Sequence, residues 1–367
     1  MEKAKISSYQ LFVLILLFEL GSALLFPLAT ETKQDAWIAV LLGMLGGFVL
    51  FVVYHGLYCF YPDMLPTEYT QKIIGKVLGR ILSYLYILYF TYLAARVLRD
   101  FGELLVTFAY PDTPLFIINA LLTLAVVYTI RKGIEVLART GELLFVLMYL
   151  LAITGFILVV VSGLIDINNL KPVLEDGILP VLKAAMTQTL YVPFGEVIVF
   201  TMIMPYLNKS KKARMTGLFA LGLSGINLAI VMAFNISVLG VDLTTLAAFP
   251  LLSTIQTIQV ADFLERLDVY FMLALIIGGF FKISIYCYAA VTGTANLFNI
   301  KEPSRMVYPI GLVILTLSIT MASNFSGHLQ EGLQIVTLYL HLPFQVIIPI
   351  ILLGIAIIKN RIRQKGR

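Results

Sequence analysis

The sequence predicts an all-α integral membrane protein of ten transmembrane helices, arranged as two five-helix repeats of opposite orientation. Three observations lead there. The 367 residues are 60% hydrophobic and only 13% charged, with a mean hydropathy of +0.94, whereas soluble domains run near a quarter charged. Apolar segments of about 20 residues recur, the length a helix needs to cross about 30 Å of hydrocarbon. Finally, the cations alternate from loop to loop. Lys3, Lys5, Lys72, Lys76, Arg80, Arg131, Lys132, Arg139, Lys209, Lys211, Lys212, Arg214, Lys301, Arg305 and the tail KNRIRQKGR fall on one side. That side holds 19 of the 26 Lys and Arg residues, against Lys33, Lys171 and Arg266 on the other. Cation-rich loops face the cytoplasm, so both termini are expected there, which requires an even number of spans.

Spans are read at 9–30, 36–58, 81–110, 114–130, 141–163, 181–206, 216–239, 269–292, 307–323 and 334–358. The whole chain, 1–367, reads as a single transmembrane permease-like domain, with inverted repeats at about 9–163 and 181–358. The first span reads as a span rather than a cleavable signal, because it is long and lacks a small-residue cleavage site. The stretch 244–260 is apolar but short and split by Pro250, so it is expected to lie on the bundle as an outer-face helix. The net charge of +5 resides in inter-span loops and implies no nucleic acid. Two cysteines, Cys59 and Cys287, define no disulfide framework. His55, His328 and His341 are scattered, no nucleophile or metal-ligand set is visible, and neither catalysis nor a cofactor is expected.

Two spans carry their own interruption. Span 1 contains FELGSALLFP (Phe18–Pro27), with Glu19 midway along it, then Gly21, Ser22 and Pro27, which cannot donate to the carbonyl of Ala23. Span 6 contains YVPFGEVIVFTMIMP (191–205), where Pro193 frees the carbonyl of Thr189, Gly195 loosens the turn and Glu196 follows. Lipid cannot satisfy freed backbone groups, so they must face protein, water or a ligand. Interrupted helices at matching positions of two halves point to a transporter-type binding site at the midplane. A five-helix half is odd, so the second half enters inverted.

Ionisable residues at that depth are expensive and tend to pair or to line a wet cavity. Lys282 lies mid-span in IIGGFFKISIYCYAAV and is expected to pair with Glu196, with Tyr286 one turn further along the same face. Span 3 holds Arg96–Asp100 and Arg99–Glu103 at i,i+4 spacing. One reading makes this cluster a solvated vestibule face with helical ion pairs. The other has Glu103 lining the ligand's way in. Gly43, Gly46, Gly47, Gly278 and Gly279 permit close helix contact.

Taken together, KISSYQLFVLILLFELGSALLFPLA, TPLFIINALL, RKGIEVLARTGELL, VPFGEVIVFTMIMPYL and LERLDVYFMLALIIGGFFKISIYCYAA resemble the spore germination permease family. These are the B subunits of GerA-type germinant receptors, within the amino acid/polyamine/organocation superfamily. The resemblance spans essentially the whole chain. It implies a LeuT-type 5+5 inverted-repeat fold with broken helices 1 and 6, in the inner membrane of the endospore. There the subunit would sense a small nutrient such as an amino acid, beside a larger A subunit and a lipoprotein C subunit. It places the pocket among spans 1, 3, 6 and 8. Accordingly Gly21, Ser22 and Ala23, with Phe194, Gly195 and Glu196, are expected to form the pocket backbone, and Lys282 and Tyr286 to supply side chains; Glu19 and Glu103 complete the candidate set. The alternative within the same fold is a proton-coupled amino acid transporter.

Overall fold

A computed structural model describes residues 5–257 and 267–365. Lys3 and Arg266, and residues 258–260 of the apolar stretch, lie outside them. Among the described residues the chain is helical, apart from turns and one isolated parallel bridge between Ile6 and Leu207. Seven helices are long and apolar enough to cross a membrane: Thr30–Phe60, Lys76–Phe108, Ile134–Ser162, Ala213–Leu246, Phe271–Leu297, Pro303–Thr320 and Phe325–Ile362. Two apolar helices are shorter, Ser8–Ala23 and Leu115–Arg131. The remaining expected span, 181–206, is broken into pieces.

Helix α1 (Ser8–Ala23) starts at a capping box. The Ser7 hydroxyl accepts from the Gln10 backbone N–H, and the Gln10 side chain accepts from the Ser7 N–H. Every residue from Val13 to Ala23 is buried, as suits a helix apolar all round. It packs on α6 (Ile134–Ser162), α8 (Ala213–Leu246) and α10 (Leu267–Leu297). Around this centre, α2 (Ala36–Phe60) lies on α8, and α4 (Lys76–Phe108) on α10; α3 (Pro66–Ile74) and α5 (Leu115–Arg131) flank α4.

The first break differs from expectation. Span 1 does not resume as a helix to residue 30; α1 ends at Ala23 and the chain turns through Ala29, at φ 52°, into a 3-10 segment at Thr30–Asp35. Pro27 withholds the N–H that would have bonded Ala23. Glu19 consequently sits in the regular end of α1 rather than at the break.

The second break is longer. Helix α7 (Ile178–Ala184) passes into a wide π-type turn at Ala185–Thr189, and after Pro193 the backbone tightens into 3-10 winding over Phe194–Met202. Pro193 and Pro205 each remove a donor four residues on from a carbonyl, at Thr189 and Thr201. All residues from 189 to 207 are buried, so their backbone bonds must be met from within the protein. The two interrupted segments run antiparallel. Ile6 at the start of α1 bonds Tyr206 and Asn208, while Ala29 beyond its end donates to the Gln188 side chain at 2.7 Å.

Gly43, Gly46 and Gly47 of α2 do more than let helices touch, because they seat the broken segment. A Cβ on Gly43 would lie 2.8 Å from the Thr189 backbone carbon, and one on Gly47 2.5 Å from the Phe194 Cβ. Gly43→Val is therefore expected to destabilise the protein by about 1–3 kcal/mol. Thermal unfolding of detergent-purified protein measures this against Val49→Leu, on the exposed side of the same helix. Equal midpoints would overturn it.

Within the expected stretch 244–260, residues 244–246 end α8, which breaks at Gly240, φ 78°, and Pro250–Gln256 form the short helix α9, packed on α8 and α10. The last expected span, 334–358, is part of a longer run. Helix α12 (Phe325–Gln330) continues into π-type winding over Glu331–Ile347, with Pro343 inside it, and then into α13 (Ile348–Lys365). Before it, α11 (Val307–Thr320) packs on α4 and α5.

Candidate ligand-binding site

Lys282 arrives on α10 with no solvent exposure, and its Nζ lies 2.5 Å from Oε2 of Glu196 on the 3-10 segment. The expected pair is thus formed. The ammonium also stands over the Phe18 ring, 5.0 Å from its centroid, a favourable contact when desolvated. Phe18 in turn meets Phe200 and Tyr286 edge-on, at 5.3 and 5.0 Å. Glu19, the next residue, is wholly buried, and neither carboxyl oxygen has a hydrogen-bond partner. Its electrostatic neighbours are Lys282 and Glu196. One buried ammonium therefore serves two carboxyl groups.

These residues can gather because α1 and α10 cross closely. A Cβ on Gly21 would lie 2.9 Å from the Gly278 carbonyl and 3.1 Å from the Lys282 Cβ. Tyr286 is fully buried one turn beyond Lys282 and neighbours Glu196. Phe194 is buried against Gly47, and Gly195 faces Gln345, whose Cδ would lie 2.9 Å from an added Cβ.

Several bonds of the second break are met by side chains absent from the sequence expectation. Tyr54 donates to the carbonyls of Gln345 and Gly195 at 2.6 and 3.3 Å. Gln345 donates to Tyr89, which exchanges a 2.7 Å hydrogen bond with His341. The Gly195 carbonyl is accordingly already engaged. A buried Tyr or Gln in a neighbouring span is the signal that could have announced these partners.

Beside this cluster lies a cavity of about 50 Å³, lined among others by Ser22, Arg96, Asp100, Glu196, Gly332 and His341. A vestibule of about 810 Å³ reaches Pro27, Lys183, Gln188 and Tyr191. Leu329 and Leu333 line both spaces, so one turn at the start of the last helical run divides them. That turn is pinned to α4. His328 Nε2 lies 2.8 Å from Asp100 Oδ1, Arg96 donates to the His328 carbonyl at 2.6 Å, and Arg96 Nη1 is 4.0 Å from Glu331.

The span 3 expectations need correction. The cluster is not a solvated face: Arg96, Arg99 and Asp100 are all buried. Arg96 does not pair with Asp100, because the turn carrying His328 takes both. Arg99 does pair with Glu103, at 2.7 Å, but it also donates to the carbonyls of Ser318 and Ile319. This draws Glu103 toward α11, and it lines neither the cavity nor the vestibule. Of the ten candidates, Glu19, Gly21, Glu196, Lys282 and Tyr286 come together at the meeting of α1, α10 and the 3-10 segment. Ser22 lines the cavity beside Glu196, with Ala23 next to it at the end of α1. Phe194 faces α2, Gly195 faces Gln345 and Glu103 turns toward α11. Of the histidines scattered in sequence, His341 lines the cavity and His328 bonds Asp100 in its wall.

Residues 5–326 match the model of the family described as spore germination protein. The chain belongs to the spore germination permease family. Within it, the chain is 58% identical over all 367 residues to spore germination protein KB of Bacillus subtilis, covering 98% of that protein. It is 28% identical to spore germination protein YndE of the same organism, over 86% of this chain and 87% of YndE. Among solved structures, MhsT in complex with L-phenylalanine superposes with a TM-score of 0.68, covering 92% of this chain and 86% of MhsT at 12% identity. Mhp1, a nucleobase-cation-symport-1 family transporter, gives 0.64 over 90% of this chain and 75% of Mhp1 at 14% identity. At such identities the likeness speaks for the fold, an all-helical LeuT-type architecture. Its helices and its family make this spore germination permease a multi-pass membrane protein.

Proposed function

We propose that the chain is the nutrient-sensing subunit of a spore germinant receptor, binding an amino acid or similar small molecule at the membrane midplane. One observation carries the reading. Two antiparallel interrupted segments meet where Lys282, Glu196 and the unpartnered Glu19 are buried together. A surplus carboxyl group at that point suits an incoming ammonium. At the end of α1, Pro27 leaves the Ala23 carbonyl without its helical donor, while the Ser22 carbonyl is held by the Leu25 N–H. MhsT, with L-phenylalanine bound, supports the ligand class by likeness of fold.

In this reading the chain forms one permease-like domain of ten spans in two inverted five-helix repeats, about 9–163 and 181–358. Both termini are cytoplasmic, in the inner membrane of the endospore. An A subunit and a lipoprotein C subunit read its state. The 50 Å³ cavity has room for only a few waters, so a nutrient must displace the turn bearing Leu329 and Leu333. That displacement is the signal: ligand affinity that differs between two arrangements shifts their populations.

Spores carrying this chain as their sole B subunit test the site. Ser22→Val, Ala23→Val and Tyr286→Leu are each expected to change by tenfold or more the concentrations of the nutrients that trigger germination, at normal protein level. Isothermal binding to purified protein should shift in step. An unchanged spectrum and unchanged binding would misplace the pocket.

A second reading keeps the same fold, which the transporter Mhp1 shares: a proton-coupled amino acid transporter. Liposomes holding this chain alone discriminate: nutrient binding without uptake supports the sensor, and nutrient uptake driven by a proton gradient supports the transporter.

A further inference from the structure

On the cation-rich side of the bundle, away from the vestibule, a groove of about 1050 Å³ runs between α1, α2 and α8. One wall is a stripe of Met215, Phe219, Gly222 and Ile226 on α8, at i, i+4, i+7 and i+11 and so on one helix face. Met215, Phe219 and Ile226 are 56, 65 and 48% exposed, and Tyr9 on the α1 wall is 51% exposed. Gly222 deepens the groove, since a Cβ there would reach within 3.4 Å of the Phe48 ring.

Eleven residues of α-helix rise about 16 Å, half of the roughly 30 Å of bilayer hydrocarbon. The groove is thus about one leaflet deep. Its outer end meets Lys211 and Lys212, which also line the groove, with Lys209 and Arg214 alongside. All four are exposed, and among the described residues none of them forms an ion pair.

We propose that this groove binds one anionic phospholipid, its acyl chain along the α8 stripe and its phosphate against Lys211 and Lys212. Any acyl chain fits the wall, but only an anionic headgroup answers four uncompensated cations standing where headgroups lie. The geometry favours lipid over a partner's transmembrane helix. Such a helix needs about 20 residues of apolar contact across both leaflets, whereas the groove closes after Ile226 and is capped by cations at its other end, even though the exposed apolar face of α8 goes on to Ile230.

The full chain, purified in detergent, is titrated with phosphatidylglycerol or phosphatidylcholine of identical acyl chains, with binding read by native mass spectrometry. Phosphatidylglycerol is expected to bind more tightly. Lys211→Gln and Lys212→Gln together should weaken it by about fivefold per lysine and leave phosphatidylcholine unchanged. Lys132→Gln, elsewhere on the cation-rich side, should change neither. Gly222→Leu, which fills the groove, should weaken both lipids. Equal binding of the two lipids, or phosphatidylglycerol binding insensitive to the lysine pair, overturns the site. So does equal competition by soluble glycerophosphate, which would reduce it to a headgroup contact. Lipid indifference together with protection of Met215→Cys from labelling in the assembled receptor would assign the groove to a protein partner instead.

Discussion

Lys282→Met is expected to destabilise the protein by about 3–5 kcal/mol, the cost of breaking a buried ion pair from one side. The substitution leaves two buried carboxyl groups, Glu196 and Glu19, with no ammonium between them, and empties the contact over the Phe18 ring. Glu196→Gln should cost less, because Lys282 keeps both the Phe18 face and Glu19 as an electrostatic neighbour. Combining the two should recover much of the loss, since apolar or neutral replacements of a buried pair are often tolerated. The recovery stops short of wild type while Glu19 stays unpartnered. The reversed pair, Lys282→Glu with Glu196→Lys, should likewise regain part of what either change loses, short of the cation–π contact. Unfolding midpoints of these variants in detergent give the coupling directly. Strictly additive losses would reject the pair.

Glu19→Leu should act in opposite directions on stability and function. Two buried oxygens without partners carry a desolvation penalty of about 1–3 kcal/mol, and leucine removes it while still filling much of the space. The unfolding midpoint should therefore rise. The nutrient response should disappear, because the group held in reserve for the ligand is gone. Glu19→Gln keeps the shape and one acceptor and should fall between. This is the pattern of a functional site that pays in stability for reactivity. A lower midpoint for Glu19→Leu would make Glu19 a structural counter-ion of Lys282. A wild-type dose–response curve would remove it from the site.

Much of this was legible because its causes are local. Proline without an N–H interrupts a helix wherever it falls, so Pro27 and Pro193 announced both breaks from sequence. A lone lysine in the middle of a span must find a counter-charge, and the matching depth of Glu196 named it. What failed depended on distant choices. Arg96 and Asp100 stand at helical pairing distance, yet both turn to the residue His328, over 200 positions away. Glu103 follows Arg99 toward α11 for the carbonyls of Ser318 and Ile319. His328 and His341 are scattered in sequence, and a 3.6-residue period would set them on different faces of a helix. The π-type winding over Glu331–Ile347 alters which side chains share a face, and Pro343 is its visible cue. The extent of span 1 was misjudged for a similar reason: Pro27 tells where bonding fails, not whether the chain afterwards continues or turns.

The bridge between Ile6 and Leu207 has a mechanical consequence. It fastens the two interrupted segments at one extremity; at the other, Ala29 donates to the Gln188 side chain, Lys33 pairs with Asp176, Gln34 donates to the Pro172 carbonyl and Asp35 accepts from the Leu174 N–H. Held at both extremities, the two segments can part only midway, like a bow from its string. On the proposed reading, a small guest at the midplane flexes that bow rather than opening either end.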